Sequence, residues 1–261
     1  MGRLYSTSHG PFTAAQLRTG DPYELSDGHA IRCSPAGGRH SGANADGASV
    51  IGSDPDVEAV GVDAGFSPEP GTLRAPDVAV GVSDDPGWSP GAPPLALEYA
   101  DRGQDEDDLA EKIRDLLAAG TRWVWVVRLD GPRRVEIHSP DAPVRQAHPG
   151  DVLEAPGVLR NPVPVEALFD KQAARRVTLR NLLQREGYAD LDAVLHEGEL
   201  RGRLADRKAS LLELCDAKGF ELSPEQRQRI RSCDDLDRLK AWFSAAAVAE
   251  SADGLLDPSV P

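Results

Sequence analysis

Hydrophobic residues follow two different rhythms along this chain. Up to about residue 164 they come in short runs separated by Gly, Pro and Asp, the pattern of strands joined by turns. Tyr23-Glu24-Leu25, then Ser26-Asp27-Gly28, then Ala30-Ile31-Arg32-Cys33 predicts a hairpin with Asp-Gly in its turn. Residues 57–62 predict another strand. Residues 78–82 and 95–99 are short apolar runs bounded by prolines, as suits buried strands. Trp123-Val124-Trp125-Val126-Val127 is the strongest strand signal, and Asp130-Gly131-Pro132 turns the chain into a partner strand over residues 134–138. Residues 34–49 lack apolar periodicity and are expected to form a loop or a poor helix. Between residues 99 and 123, Leu109, Ile113, Leu116 and Leu117 make one helical stripe. Asp105 to Asp108 crowd its first turn, and Gly120 ends it. Strand, helix, strand is the order of a crossover packed on a sheet. The fold class predicted is therefore α/β, a mixed central sheet flanked by helices.

The second rhythm is helical. Residues 167–185, 189–218, 224–232 and 236–249 each accommodate a helix, and Ser223-Pro224-Glu225-Gln226 is a capping signal for the third. Leu204, Leu211, Leu212 and Cys215 can share one face, and Leu239, Trp242 and Phe243 another; the last dozen residues are expected to fray. Of the 46 Gly and Pro residues, 38 precede residue 165. Two prolines in Arg160-Asn161-Pro162-Val163-Pro164 break any regular element there. The division expected is an α/β domain over 1–164 and an all-helical domain over 165–261.

Charge narrows the possible partners. The 261 residues carry a formal charge of −14, and residues 1–164 hold 25 acids against 14 bases. Such a balance opposes non-specific adhesion to nucleic acid, so any DNA contact must come from local bases. No apolar run approaches the ~20 residues of a membrane span. The opening MGRLYSTSHGPFTAAQL has no apolar core of a secretory signal. Three cysteines are too few and too scattered for a disulfide framework or a zinc site. A reduced, cytoplasmic protein without a membrane partner is expected.

Three residues carry candidate chemistry. Asp77 stands at the entry to one apolar run and Glu98 near the end of the next. A carboxylate inside so apolar a run wants a cation or a metal. Two on neighbouring strands could hold one hard divalent ion, leaving room for water and a phosphate oxygen. Lys112 borders the apolar stripe of the helix, so its stem can lie along the core while its ammonium reaches the sheet. Carboxylate, carboxylate and lysine suit metal-assisted phosphodiester hydrolysis. Plainer roles stand beside these: Asp77 as a turn residue after Pro76, Glu98 facing solvent on an edge, Lys112 in an i,i+4 pair with Asp108. His40, in Gly37-Gly38-Arg39-His40, is either a phosphate contact or loop polarity, and no His spacing suits a metal.

The order Tyr23-Glu24-Leu25-Ser26-Asp27-Gly28, Ser34-Pro35 with Gly38-Arg39-His40, and Gly71-Thr72-Leu73-Arg74-Ala75-Pro76-Asp77-Val78 resembles the Uma2 family (DUF820) of the PD-(D/E)XK nuclease superfamily. The resemblance continues through Glu98, Asp108-Leu109-Ala110-Glu111-Lys112, Ala119-Gly120 and Trp125-Val126-Val127, covering roughly residues 15–168. It implies a restriction-endonuclease-like core and a DNA endonuclease that uses Mg²⁺ or Mn²⁺. Asp77 and Glu98 would be the metal ligands, joined by the main-chain carbonyl of Tyr99. Lys112 would be the lysine, displaced from the strand to the following helix, with Ala100 in its usual place. Apart from the resemblance, Arg39 and Arg74 are local bases that could meet DNA, so with His40 they are the candidate phosphate contacts. Asp101-Arg102-Gly103-Gln104 departs from the family's Ser-Pro-Ser-like stretch, and residues 41–49 are Gly- and Ala-rich where a long apolar helix is usual. Residues 165–261 lie outside the resemblance and are expected to serve as a homodimer or protein-partner surface. The rival expectation is a catalytically silent scaffold with the same fold, acting through that helical region.

Overall fold

The computed structural model describes residues 10–103, 105–252 and 255–256. The opening segment 1–9, part of the stretch read for a leader, lies outside them. The chain forms two compact units, Met1–Gly187 and Tyr188–Pro261.

The first unit begins with the predicted hairpin, β1 (Tyr23–Ser26) and β2 (His29–Arg32), which pairs Tyr23 with Arg32 and Ser26 with His29. Asp27 and Gly28 both have positive φ, 46° and 76°, the backbone of a tight two-residue hairpin turn. Then follow α1 (Gly38–Gly52), β3 (Val60–Val62), β4 (Phe66–Ser67), β5 (Val78–Val80), β6 (Ser89–Pro90) and β7 (Leu95–Ala100). Next come α2 (Glu106–Ala118), β8 (Trp123–Arg128), β9 (Arg134–Ser139) and β10 (Ala142–Ala147). The main sheet has the order β10-β9-β8-β7-β5-β3. Within this sheet β7 and β8 are the one parallel pair among the described residues, and α2 is the crossover that such a pair requires.

Alternation along the strands sends side chains to two separate cores. Leu95, Leu97, Tyr99, Trp125 and Val127 pack in one with Val50 and Ile51 of α1. Ala96, Ala100, Val124 and Val126 pack in the other with Leu109, Ile113 and Leu116 of α2. Strands β7 and β8 are thus covered on both faces, which explains their unbroken apolar runs. Asp105 caps α2 by accepting from the N–H groups of Asp107 and Asp108, and Gly120 follows it at φ 108°.

Of the two expectations for this stretch, a loop or a poor helix, residues 38–52 take the helix, and close packing is the reason. A Cβ on Gly47 would stand 2.1 Å from the Tyr99 hydroxyl oxygen, and one on Gly52 would stand 2.4 Å from Val60 Cγ1. Small residues let α1 lie directly on the sheet, so tertiary contact overrides weak helix propensity.

After a short pair, β11 (Val152–Leu153) with β12 (Val163–Pro164), and a 3₁₀ turn over Val165–Leu168, the chain enters α3 (Lys171–Arg185). Asp170 starts this helix by accepting from Ala173 N–H at 2.8 Å, which separates the 3₁₀ turn from α3. Asn181 donates to Ser53 Oγ (3.2 Å), and Arg185 donates to the carbonyls of Gly52, Ser53, Asp54 and Val57. These side chains satisfy the open carbonyl end of α1. The composition shift falls near 164, whereas the compact unit runs through α3.

The second unit contains α4 (Leu191–Ala217), α5 (Pro224–Arg231) and α6 (Leu236–Val248). Leu211, Cys215, Ile230, Leu239 and Trp242 form its core. Ser223 and Gln226 make the predicted capping box of α5. Of the last dozen residues, Leu255 and Leu256 pack into this core, while 253–254 and 257–261 lie outside the described residues. Among the described residues no helix is long and apolar enough to cross a membrane.

Candidate active site

Sheet register brings the two carboxylates together. Val78 of β5 lies opposite Leu97 of β7, so Asp77, one residue earlier, reaches the level of Glu98 and Tyr99. Tyr99 N–H donates to Asp77 Oδ2 at 2.6 Å. His40 Nε2 lies 2.9 Å from Asp77 Oδ1, and Asn44 Nδ2 donates to the same oxygen at 3.2 Å. His40 and Asn44 are one turn apart on α1 and so share a face. Burial acts to raise the Asp77 pKa, but the hydrogen bond from His40, the charge of Lys112 and the Tyr99 N–H together hold it below the ordinary range. The bond to Asp77 in turn raises the His40 pKa against the effect of its own burial.

Glu98 faces α2. Lys112 Nζ lies 3.0 Å from Glu98 Oε1 and 3.1 Å from Oε2, 2.7 Å from the Ala75 carbonyl oxygen and 3.2 Å from Glu24 Oε1. Burial opposes the charge of this ammonium, yet Glu24, Glu98 and Asp77 outweigh it and hold the lysine above its ordinary pKa. Burial pushes Glu98 up to about 8 despite Lys112, with Asp77 and Glu24 adding to the shift. One face of the site therefore holds an ionised aspartate and the other a buried glutamate that gives up its proton reluctantly.

The remaining expected residues are placed differently from one another. Arg39 is more than half exposed and lies 3.5 Å from Asp101. His40 is in the cluster, on Asp77. Arg74 is not open to a phosphate: its side chain is 3% exposed, and it donates to Asp115 (2.8 and 2.6 Å), Glu24 (3.3 Å) and Glu111 (3.3 Å). Tyr99 contributes backbone to the cluster, and its ring lies under α1. Sequence reasoning missed Glu24 and Asn44, which are both buried. It also missed Asp63, whose pKa burial and Asp77 raise. Glu24 had a signal, being a charged residue between Tyr23 and Leu25 in a predicted strand.

The donor set suits a hard divalent cation. Among the described residues no three His, Cys, Asp or Glu side chains gather as a metal group. Glu98 Oε1 is buried and makes no hydrogen bond, although it lies 3.0 Å from Lys112 Nζ as an ion pair. In a strand the N–H and C=O of one residue point to the same edge. The Tyr99 carbonyl therefore faces the edge where its N–H meets Asp77. Asp77, Glu98 and the Tyr99 carbonyl are all-oxygen donors of the kind that Mg²⁺ and Mn²⁺ prefer.

A mixed sheet between helices, with an aspartate at one strand, a glutamate on the next and a lysine from the crossover helix, is a restriction-endonuclease-like fold. The chain belongs to the Uma2 family: that family's model, described as "Putative restriction endonuclease", matches residues 12–163. It is also similar in fold to a solved structure, "a putative nuclease belonging to DUF820" from Anabaena variabilis ATCC 29413. The two are 18% identical with a TM-score of 0.54, over 63% of this chain and 99% of that one. No curated protein matches the chain.

Proposed function

We propose that this chain is an endonuclease that hydrolyses DNA phosphodiester bonds with Mg²⁺ or Mn²⁺. The carrying observation is the meeting of Asp77, Glu98 and Lys112, from three separate elements, in one cluster. Membership of the Uma2 family supports the same reading. Asp77, Glu98 and the Tyr99 carbonyl hold the cation, which when bound would favour ionisation of water and draw negative charge from the phosphate. Lys112 is kept protonated by its carboxylate neighbours, and it orients the attacking water and offsets charge developing on the phosphate. His40 and Asn44 fix the Asp77 carboxylate, leaving its second oxygen to the Tyr99 N–H. Arg39 and His40, on the first turn of α1, are assigned the phosphate contact; Arg74 is excluded by burial. The reading places the protein in a bacterial cytoplasm, with its DNA substrate, and the three free cysteines accord with a reducing compartment. Residues 165–261 are assigned self-association or partner binding.

The test is nicking of supercoiled plasmid by the full chain with Mn²⁺ or Mg²⁺. Asp77→Asn, Glu98→Gln and Lys112→Ala should each slow nicking by about 10²-fold or more. A wild type no faster than Asp77→Asn would make the protein a binding module. Comparing duplex DNA, single-stranded DNA and RNA identifies the substrate, with duplex DNA expected to be cut fastest.

A further inference from the structure

Lys112 reaches the site from a helix, and something must keep its ammonium in place once a cation takes the oxygens of Glu98. Its other acceptors are the Ala75 carbonyl at 2.7 Å and Glu24 Oε1 at 3.2 Å. Glu24 lies on β1, is 7% exposed, and among the described residues is the one carboxylate on Lys112 that is outside the proposed ligand set. Its other oxygen accepts from Arg74 Nη1 at 3.3 Å. Arg74 is clamped to Asp115, which also accepts from Ser26 Oγ at 2.8 Å. Glu24 and Ser26 alternate with the buried Leu25 and so face the same side of β1. The hairpin and α2 are thereby joined through Lys112–Glu24–Arg74–Asp115–Ser26.

We infer that Glu24 is the positioning residue for Lys112: it holds the ammonium beside the scissile phosphate while Glu98 is committed to the cation. This rests on the nuclease reading above. The geometry makes the role specific. One carboxylate oxygen faces the lysine and the other faces a buried arginine that cannot move away. Glu24 is therefore aimed from behind and has no freedom to follow Glu98.

The chain has five lysines, so the Lys112 ammonium can be followed by ¹H–¹⁵N NMR of ¹⁵N-lysine-labelled full-length protein in saturating Mg²⁺. In the wild type its protons should exchange at least tenfold more slowly than those of the exposed Lys171. In Glu24→Gln they should exchange at least tenfold faster than in the wild type. Nicking should show a matching pattern: kcat at least tenfold lower in Glu24→Gln with KM for plasmid unchanged, and no further loss when the substitution is added to Lys112→Ala. Circular dichroism checks the fold. If Glu24→Gln does not fold, Glu24→Asp, which keeps a charge for Arg74 but retreats from Lys112, should speed exchange in the same direction. Equal exchange in wild type and folded variant overturns the inference, as does wild-type exchange as fast as at Lys171. A loss that multiplies with Lys112→Ala overturns it too, because a purely structural defect adds to the loss of the lysine. A wild type that does not nick overturns the nuclease reading alone, and the exchange rates still decide the role of Glu24.

Discussion

Asp77 and Glu98 are neighbours in the sheet but hold their protons in opposite ways, and the cause is what meets their oxygens. Asp77 accepts from a main-chain N–H, an imidazole and an amide, so its pKa lies below the ordinary value. Both Glu98 oxygens face Lys112, at 3.0 and 3.1 Å, with the hydrogen bond at Oε2, and burial raises its pKa to about 8. The two shifts act on stability in different pH windows. For Glu98 the folded state keeps the proton more tightly than the unfolded chain, so its contribution is full below about 4.5 and is lost as pH rises towards about 8. For Asp77 the contribution is present above 3.8 and is lost as pH falls through its lowered folded value. In EDTA, melting temperature should therefore decline between pH 5 and 8, and Glu98→Gln should remove most of that decline. Mn²⁺ has to displace the Glu98 proton, so its affinity should rise by up to about tenfold per pH unit below pH 8 and level off above it. Isothermal titration at several pH values measures this; a flat profile would show that Glu98 is not a ligand.

The helix that carries His40 and Asn44 shows where sequence patterning stops being informative. The apolar stripe of α2 and the runs of β5, β7 and β8 are legible because each buries its own large side chains. Asp77, Glu98 and Lys112 stand out for the same reason, as charges within or beside apolar runs. In α1 the packing signal is the absence of side chains, which composition reads as a loop or a poor helix. Asn44, Glu24 and the burial of Arg74 depend on contacts across 33, 50 and 41 residues of sequence, which no local pattern reveals. The close approach makes a sharp prediction. Helix propensity alone would let Gly47→Ala stabilise by about 1 kcal/mol. The clash with Tyr99 reverses the sign, and a net loss of about 1–3 kcal/mol is expected in chemical denaturation. The Tyr99 hydroxyl is buried without a hydrogen bond, so Tyr99→Phe should recover part of that loss. At Gly42, where nothing lies within 4 Å of an added Cβ, alanine should stabilise as propensity says.

The chain is strongly acidic at −14, yet its acids are used locally. Glu24, Glu111 and Asp115 surround Arg74, Asp105 caps α2, and Asp54 accepts from the N–H groups of Arg160 and Asn161 at 2.9 Å. On the proposed nuclease reading, attraction to DNA would come from a few bases and a bound cation, which implies weak binding whose salt dependence is shallow, because that dependence follows the number of phosphates neutralised. The same local economy decides where the chain can be cut. Residues 165–187 are helical like the rest of the tail, but they complete the first unit. Val165, Ala167, Leu168, Ala174 and Val177 pack into its core, and Arg185 and Asn181 satisfy the end of α1. A chain ending at Gly187 should therefore keep a cooperative melt and metal-dependent nicking. One ending at Pro164 would uncover Val50 and Ile51 and leave the carbonyls of Gly52, Ser53 and Asp54 without Arg185. Since a single buried aliphatic side chain is worth about 1.5–3 kcal/mol and a domain has only about 5–15 kcal/mol in total, that chain should lose its cooperative transition. Differential scanning calorimetry of the two truncations reads the difference, and a cooperative melt from the chain ending at Pro164 would put α3 with the second unit instead.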